Sequence, residues 1–122
     1  MAKTIMIVDD SASIRQVVSI ALKGAGYQVI EACDGKDALG KLTGDKINLI
    51  ITDVNMPNMD GITFVQEVKK LPMYRFTPMM MLTTEAAEDK KQQGKAAGAK
   101  AWLTKPFQAP TLLNAVSKLV LP

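Results

Sequence analysis

Residues 47–53 read INLIITD, an almost wholly apolar run from Ile47 to Thr52 that closes on an acid, Asp53. A run this short and this apolar suits a strand buried between two layers; a strand with one wet face would alternate. The same figure recurs outward in both directions. Upstream, Thr4 to Val8 is rich in β-formers and closes on Asp9 and Asp10. Downstream, Met79 to Leu82 closes on Thr83, and Trp102 to Thr104 closes on Lys105 and Pro106. Tyr27 to Ala32 supplies one more strand, which ends blandly at Cys33.

Between the strands the apolar period lengthens to that of helices. Ile14, Val17, Val18, Ala21 and Leu22 recur at helical spacing behind the candidate caps Ser11 and Ser13, until Gly24 and Gly26 stop the helix. Ala38, Leu39 and Leu42 mark a second helix. Val65 and Val68 mark a third, which follows the turn-rich stretch VNMPNMDG and ends by Pro72. The last starts near Pro110, a residue suited to a first helical position, and lines up Leu112, Leu113, Val116, Leu119 and Val120. The helix between Ala86 and Ala97 is polar nearly all round and can bury only a narrow alanine stripe, so it should be the least firmly held. Strands apolar on both faces, alternating with helices, predict an α/β fold: a doubly wound, five-stranded parallel sheet with helices on both sides.

Composition bounds the rest. A chain of 122 residues suits one domain over 1–122, and its 48% hydrophobic and 22% charged residues are those of an ordinary globular protein. The N-terminal MAKTIMIVDD lacks the long apolar core of a signal peptide, and no run reaches the ~18 apolar residues of a membrane helix. The single Cys33 fits a reducing compartment, so the expected location is the cytoplasm, with no membrane insertion. A net charge of +3 carried on scattered lysines does not make a nucleic-acid surface. The eight methionines, Met79 to Met81 among them, read as core filler in a buried strand rather than as an adaptable surface. The absence of histidine removes the commonest general base, Ser/His and Cys/His nucleophile pairs and every His-metal site. Chemistry here must run on carboxylates, hydroxyls and lysine.

Ligands of an open parallel sheet bind beyond the carboxyl ends of its strands, where the winding reverses. Four strands end there in Asp9 and Asp10, Asp53, Thr83 and Lys105. If the second strand winds outward from the first and the rest wind the other way, the first and third strands are neighbours and three carboxylates meet. Such a cluster repels itself unless a proton or a cation intervenes. An all-Asp group suits Mg²⁺, a hard cation that takes oxygen ligands. A lysine and a hydroxyl on the facing strands would neutralise and hydrogen-bond a phosphoryl group on one of the acids. Singly, each residue is more often a helix cap or a turn residue; their convergence reads as phosphoryl transfer to a carboxylate.

In VDD, DVNMPNMDG, MLTTE and AWLTKPF, taken in that order, the chain resembles the response-regulator receiver domains, and among them the CheY-like single-domain chemotaxis regulators. The resemblance covers essentially the whole chain and implies a (βα)5 flavodoxin-like fold with strand order 2-1-3-4-5. It implies Asp53 as phosphoacceptor, phosphorylated by a CheA-like sensor histidine kinase or a small donor such as acetyl phosphate. Asp10 and Asp53 would ligate Mg²⁺ with the backbone carbonyl of Asn55, and Asp9 would act through water. Thr83 and Lys105 would contact the phosphoryl oxygens, with a cis Lys105–Pro106 peptide. Trp102 stands at the position of the family's switching aromatic, usually Tyr, Phe or His, and with Glu85 and Pro106 belongs to the output side. Output would be by a monomer binding a protein partner in trans, through the fourth helix, fifth strand and fifth helix. The flagellar switch protein is one such partner, but Glu88, Lys91 and Thr104 stand where motor-binding members have Lys, an apolar residue and often Val. The protein would be no enzyme beyond its own aspartyl phosphorylation and dephosphorylation.

Four other readings stay open. The chain could be a stand-alone receiver of another pathway or a phosphate sink. A haloacid-dehalogenase-type phosphatase also uses Asp, Thr, Lys and Mg²⁺, but places its nucleophile after the first strand with a second Asp two residues on, where this chain has Asn55 after Asp53. A flavin module would want a hydroxyl- and glycine-rich loop after the first strand in place of two acids. A pure interaction protein would not need the five site residues.

Overall fold

The computed structural model describes residues 2–83 and 88–120, the first three residues of the second stretch by backbone only. Five strands, β1 (Thr4–Val8), β2 (Gln28–Ala32), β3 (Leu49–Asp53), β4 (Met79–Thr83) and β5 (Ala101–Thr104), alternate with five helices. The helices are α1 (Ala12–Gly24), α2 (Gly35–Lys41), α3 (Gly61–Lys69), α4 (Glu88–Ala97) and α5 (Ala109–Leu119). All strand pairs are parallel, in the order β2-β1-β3-β4-β5, so the winding reverses between β1 and β3 as expected.

Successive strand residues point to opposite faces, and both faces are covered. Met6, Val8, Ile50, Met79 and Met81 pack with Ala38, Phe64, Val65 and Val68 of α2 and α3. Ile5, Ile7, Leu49, Ile51, Met80 and Leu82 pack with Val18, Leu22, Leu112 and Val116 of α1 and α5. The three consecutive methionines are thus fully buried and serve both layers. A slip of one residue in any strand would exchange the two sets, which fixes register and so the height at which each strand ends.

The helices start where short polar side chains meet free N–H groups. Ser11 accepts from the Ile14 N–H, Asp34 from Asp37 and Asp60 from Thr63. Pro110 is the second residue of α5 rather than the first, Ala109 preceding it. β3 starts at Leu49, just after Asn48, whose side chain accepts the Thr4 N–H at 2.9 Å while its own N–H donates to the Thr4 carbonyl at 2.8 Å. In α4 the one buried residue among those described from 91 to 97 is Gly94, not an alanine.

Candidate functional site

The carboxyl ends of β1, β3, β4 and β5 form one polar mouth. Asp9, just past β1, is fully buried; Asp10 beside it is exposed; Asp53, the last residue of β3, is buried. Each of the three offers a carboxylate oxygen within 4.8 Å of the others'. The parallel pairing of β1 with β3 across the reversal does this: Val8 lies opposite Thr52, so both strands run out at the same level.

Lys105 enters from the far side of the sheet. Its ammonium donates to Asp9 Oδ2 at 2.9 Å and lies 3.4 Å from Asp53 Oδ1. Its backbone is held as well: the Lys105 N–H donates to the Thr83 carbonyl at 2.6 Å, and the Lys105–Pro106 peptide is cis. Thr83 ends β4 one residue beyond the Leu82 that pairs with Asp53, and is buried. Asp53 Oδ1 also accepts the Val54 N–H at 2.8 Å. Asn55 is exposed on the following turn. The sequence-derived residues Asp9, Asp10, Asp53, Thr83 and Lys105 therefore converge. Trp102 lies a short way along β5, half-buried on the α4 side, and Glu85 lies outside the described residues.

Three acids face one lysine, and the electrostatics register the imbalance. Burial, and then the Asp9 charge, push the Asp53 carboxyl above its ordinary value, only partly offset by Lys105 and the Val54 N–H. Burial alone would lower the Lys105 ammonium, but the hydrogen bond to Asp9 and the charges of Asp53 and Asp9 outweigh it and hold the lysine above its usual value. An oxygen-only cluster with surplus negative charge, open to solvent at Asp10, fits a hard divalent cation such as Mg²⁺.

Residues that the sequence did not single out complete the mouth. Arg15 on α1 donates from Nη1 to the Asp9 carbonyl at 2.6 Å and pairs through Nε with Glu31 at 3.3 Å. Asn58 adopts φ +66°, a conformation that asparagine tolerates, and donates to Asp34 at 2.8 Å. Gly61 opens α3 directly against β3, where a Cβ would run into the Asp53 carbonyl. The turn-rich stretch carried a signal for Asn58. A single arginine on a helix face carries none.

Comparison with known proteins agrees with this geometry. Residues 5–117 match the family model described as the response regulator receiver domain. The chemotaxis protein CheY4 of Vibrio cholerae superposes with a TM-score of 0.93 at 49% identity, covering 98% of this chain and 99% of that one. PilG of Pseudomonas aeruginosa is 37% identical over 112 residues, covering 92% of this chain and 83% of PilG. The phosphate regulon transcriptional regulatory protein PhoB of the same organism is 39% identical over 121 residues, but the chain spans only 52% of PhoB.

Proposed function

Since the chain belongs to the response regulator receiver domain family, we propose that residues 1–122 act as one receiver whose Asp53 accepts a phosphoryl group. What supports this most is the Lys105 ammonium lying between Asp9 and Asp53 within a cluster of three carboxylates. Asp53 Oδ1 is engaged by the Val54 N–H and Lys105, so Oδ2 is the attacking atom. It bonds to the phosphorus of a phosphohistidine on a sensor kinase as the P–N bond breaks, and the electron pair returns to the imidazole, which takes a proton from water. Hydrolysis reverses the change: water attacks phosphorus, the P–Oδ2 bond breaks and the carboxylate is restored.

Asp10, Asp53 and the Asn55 carbonyl would hold Mg²⁺, with Asp9 through water, and the ion supplies neutralisation of phosphoryl charge. Lys105 moves its ammonium from the carboxylates to a phosphoryl oxygen, and the Thr83 hydroxyl donates to another. The group adds about −1.5 to −2 charges. Its pull on Thr83 is passed to β5, whose chain hangs on the Thr83 carbonyl through Lys105, and Trp102 then repacks the α4–β5–α5 face. Glu85 and Pro106 belong to this output side. We read the product as a cytoplasmic monomer that signals by binding a protein in trans, and the likeness to CheY4 favours chemotaxis. Likeness to PhoB and the residues Glu88, Lys91 and Thr104 favour a second reading, a stand-alone receiver of another pathway.

The test is phosphorylation by acetyl phosphate, followed by mass and by the fluorescence of Trp102. Wild type should take up one phosphoryl group with Mg²⁺ and none with chelator, and Asp53→Asn should take up none. Equal uptake by that variant would overturn the assignment. Tight binding of the beryllofluoride-loaded protein to a flagellar switch peptide would remove the second reading.

A further inference from the structure

At the opposite pole, where the strands begin, the loop between α3 and β4 carries two large apolar side chains into solvent: Met73 is 56% exposed and Phe76 83%. Exposure of this size on a loop would mean little if the loop were slack. It is tied down at three points. The Tyr74 hydroxyl donates to the Asp45 carbonyl at 2.8 Å and accepts the Gly44 N–H at 2.9 Å, and the Lys69 ammonium donates to the Thr77 carbonyl at 2.8 Å. Phe76 is therefore held outward by a fixed platform, its ring under the Arg75 guanidinium at 5.1 Å.

Two clefts open on either side of that ring. One, of about 260 Å³, is walled by Ile47, Met73, Tyr74 and Pro78 with Lys46 at its rim. The other, of about 340 Å³, lies between Pro78 and Leu119 with Lys100 and Lys118 at its rim. Lys46, Arg75, Lys100 and Lys118 make no ion pair among the described residues. Helix dipoles account for Lys118 in the last turn of α5 and offer a partner to Lys100 just past α4. Lys46 and Arg75 stand in loops beyond the last turns of α2 and α3. The Lys69 ammonium is held below its usual value by burial first and by the charge of Lys100 second.

We infer that this pole is a second docking surface, whose occupant is an acidic protein segment that seats apolar side chains in the two clefts flanking Phe76 and pairs its carboxylates with Lys46, Arg75, Lys100 and Lys118. Charge complementarity selects the acidic partner, and paired clefts select a chain with discrete side chains over a flat lipid surface. The rigid loop means that little ordering is lost on binding. Nothing in this depends on the phosphorylation chemistry at the other pole.

The test titrates isotope-labelled protein of residues 1–122 with three probes while amide signals are followed. They are a synthetic peptide alternating glutamate with leucine and phenylalanine, the same peptide with lysine for glutamate, and phosphatidylglycerol vesicles. The acidic peptide should give saturable shifts confined to the surroundings of Lys46, Met73, Phe76, Lys100 and Lys118. Affinity should fall about tenfold in Phe76→Ala and in a Lys100→Glu/Lys118→Glu pair, and stay unchanged in Asp53→Asn. Signals elsewhere report that each variant is folded, and Arg75→Glu serves if Phe76→Ala is not. Absence of shifts at this pole, equal binding of the lysine peptide, or vesicle binding through Phe76 without peptide binding would each overturn the inference.

Discussion

The ring of Trp102 fills the space that a side chain on Gly94 would need: a Cβ built there would lie 2.6 Å from Trp102 Cζ3 and 2.9 Å from Met81 Sδ. Glycine inside a helix is unfavourable by about 1 kcal/mol relative to alanine, and α4 is already poor in buried apolar residues. The glycine is explained by what it admits. The tryptophan nests against the helix backbone beside the core of β4.

Gly94→Ala should therefore expel the ring in spite of its better helix propensity. We expect a net loss of about 1 kcal/mol, the overpacking term exceeding the propensity gain, and greater quenching of Trp102 by acrylamide. In Trp102→Ala the same glycine change should stabilise. A double-mutant cycle with a coupling near zero would show that the two residues do not share the space.

The charge imbalance at the mouth gives a prediction of sign. The folded state raises the Asp53 carboxyl above its ordinary value, so in that interval it binds more protons than the unfolded chain. Stability then falls as pH rises from the ordinary carboxylate value through the raised one, and the penalty is complete above it. Metal-free Asp53→Asn should consequently melt higher than wild type above the raised value, and lose that part of the pH slope. Mg²⁺ should raise the melting temperature of wild type far more than that of the variant. A lower melting point for metal-free Asp53→Asn would contradict the account.

How much of this could be read from the chain alone depends on distance along it. Strand ends were legible because an apolar run closing on Asp53 or Thr83 is a local pattern, and parallel pairing turns those ends into one site. Caps such as Ser11 were legible for the same reason. The Gly94–Trp102 fit and the Arg15 hold on Asp9 were not, because each joins residues on different elements, and a glycine or an arginine on a helix carries no mark of what crosses it. The exposed Phe76 was missed for the converse reason: an aromatic near a strand looks like core until the loop that holds it out is seen.

Removing the Lys105 charge separates two roles. Lys105→Met leaves the buried Asp9 and Asp53 facing each other without a counterion, and should destabilise the metal-free protein by about 2 kcal/mol, less than the full loss for a wholly buried pair because the lysine is partly exposed. The same loss of positive charge should strengthen Mg²⁺ binding, by about tenfold. Phosphorylation of this variant should alter Trp102 fluorescence less than in wild type, since the ammonium's pull is lost while the main-chain bond from the Lys105 N–H to the Thr83 carbonyl remains. Weaker Mg²⁺ binding, measured by calorimetry, would show that the lysine does not compete with the cation.

Arg15 supplies the last test, because it touches the site only through the main chain. Its Nη1 fixes the Asp9 carbonyl at the turn where Asp10 leaves β1 for α1, while Glu31 balances its charge. Replacing arginine alone would confound geometry with charge, so the informative protein is Arg15→Gln with Glu31→Gln, which keeps the net charge. Loss of a group that orients a ligand-bearing turn typically weakens metal binding by 10- to 100-fold; about tenfold is expected here, with the fold intact and Asp53 still phosphorylated at saturating Mg²⁺. Arg15→Lys should not restore the affinity, since an ammonium cannot serve the Asp9 carbonyl and the Glu31 carboxylate with the same fixed fork. Unchanged Mg²⁺ affinity in the charge-neutral pair would mean that the turn holds its shape without the guanidinium, through the Ser11 N–H to Asp9 Oδ1 bond at 2.9 Å and the Asp9 N–H to Ala32 carbonyl bond at 3.1 Å.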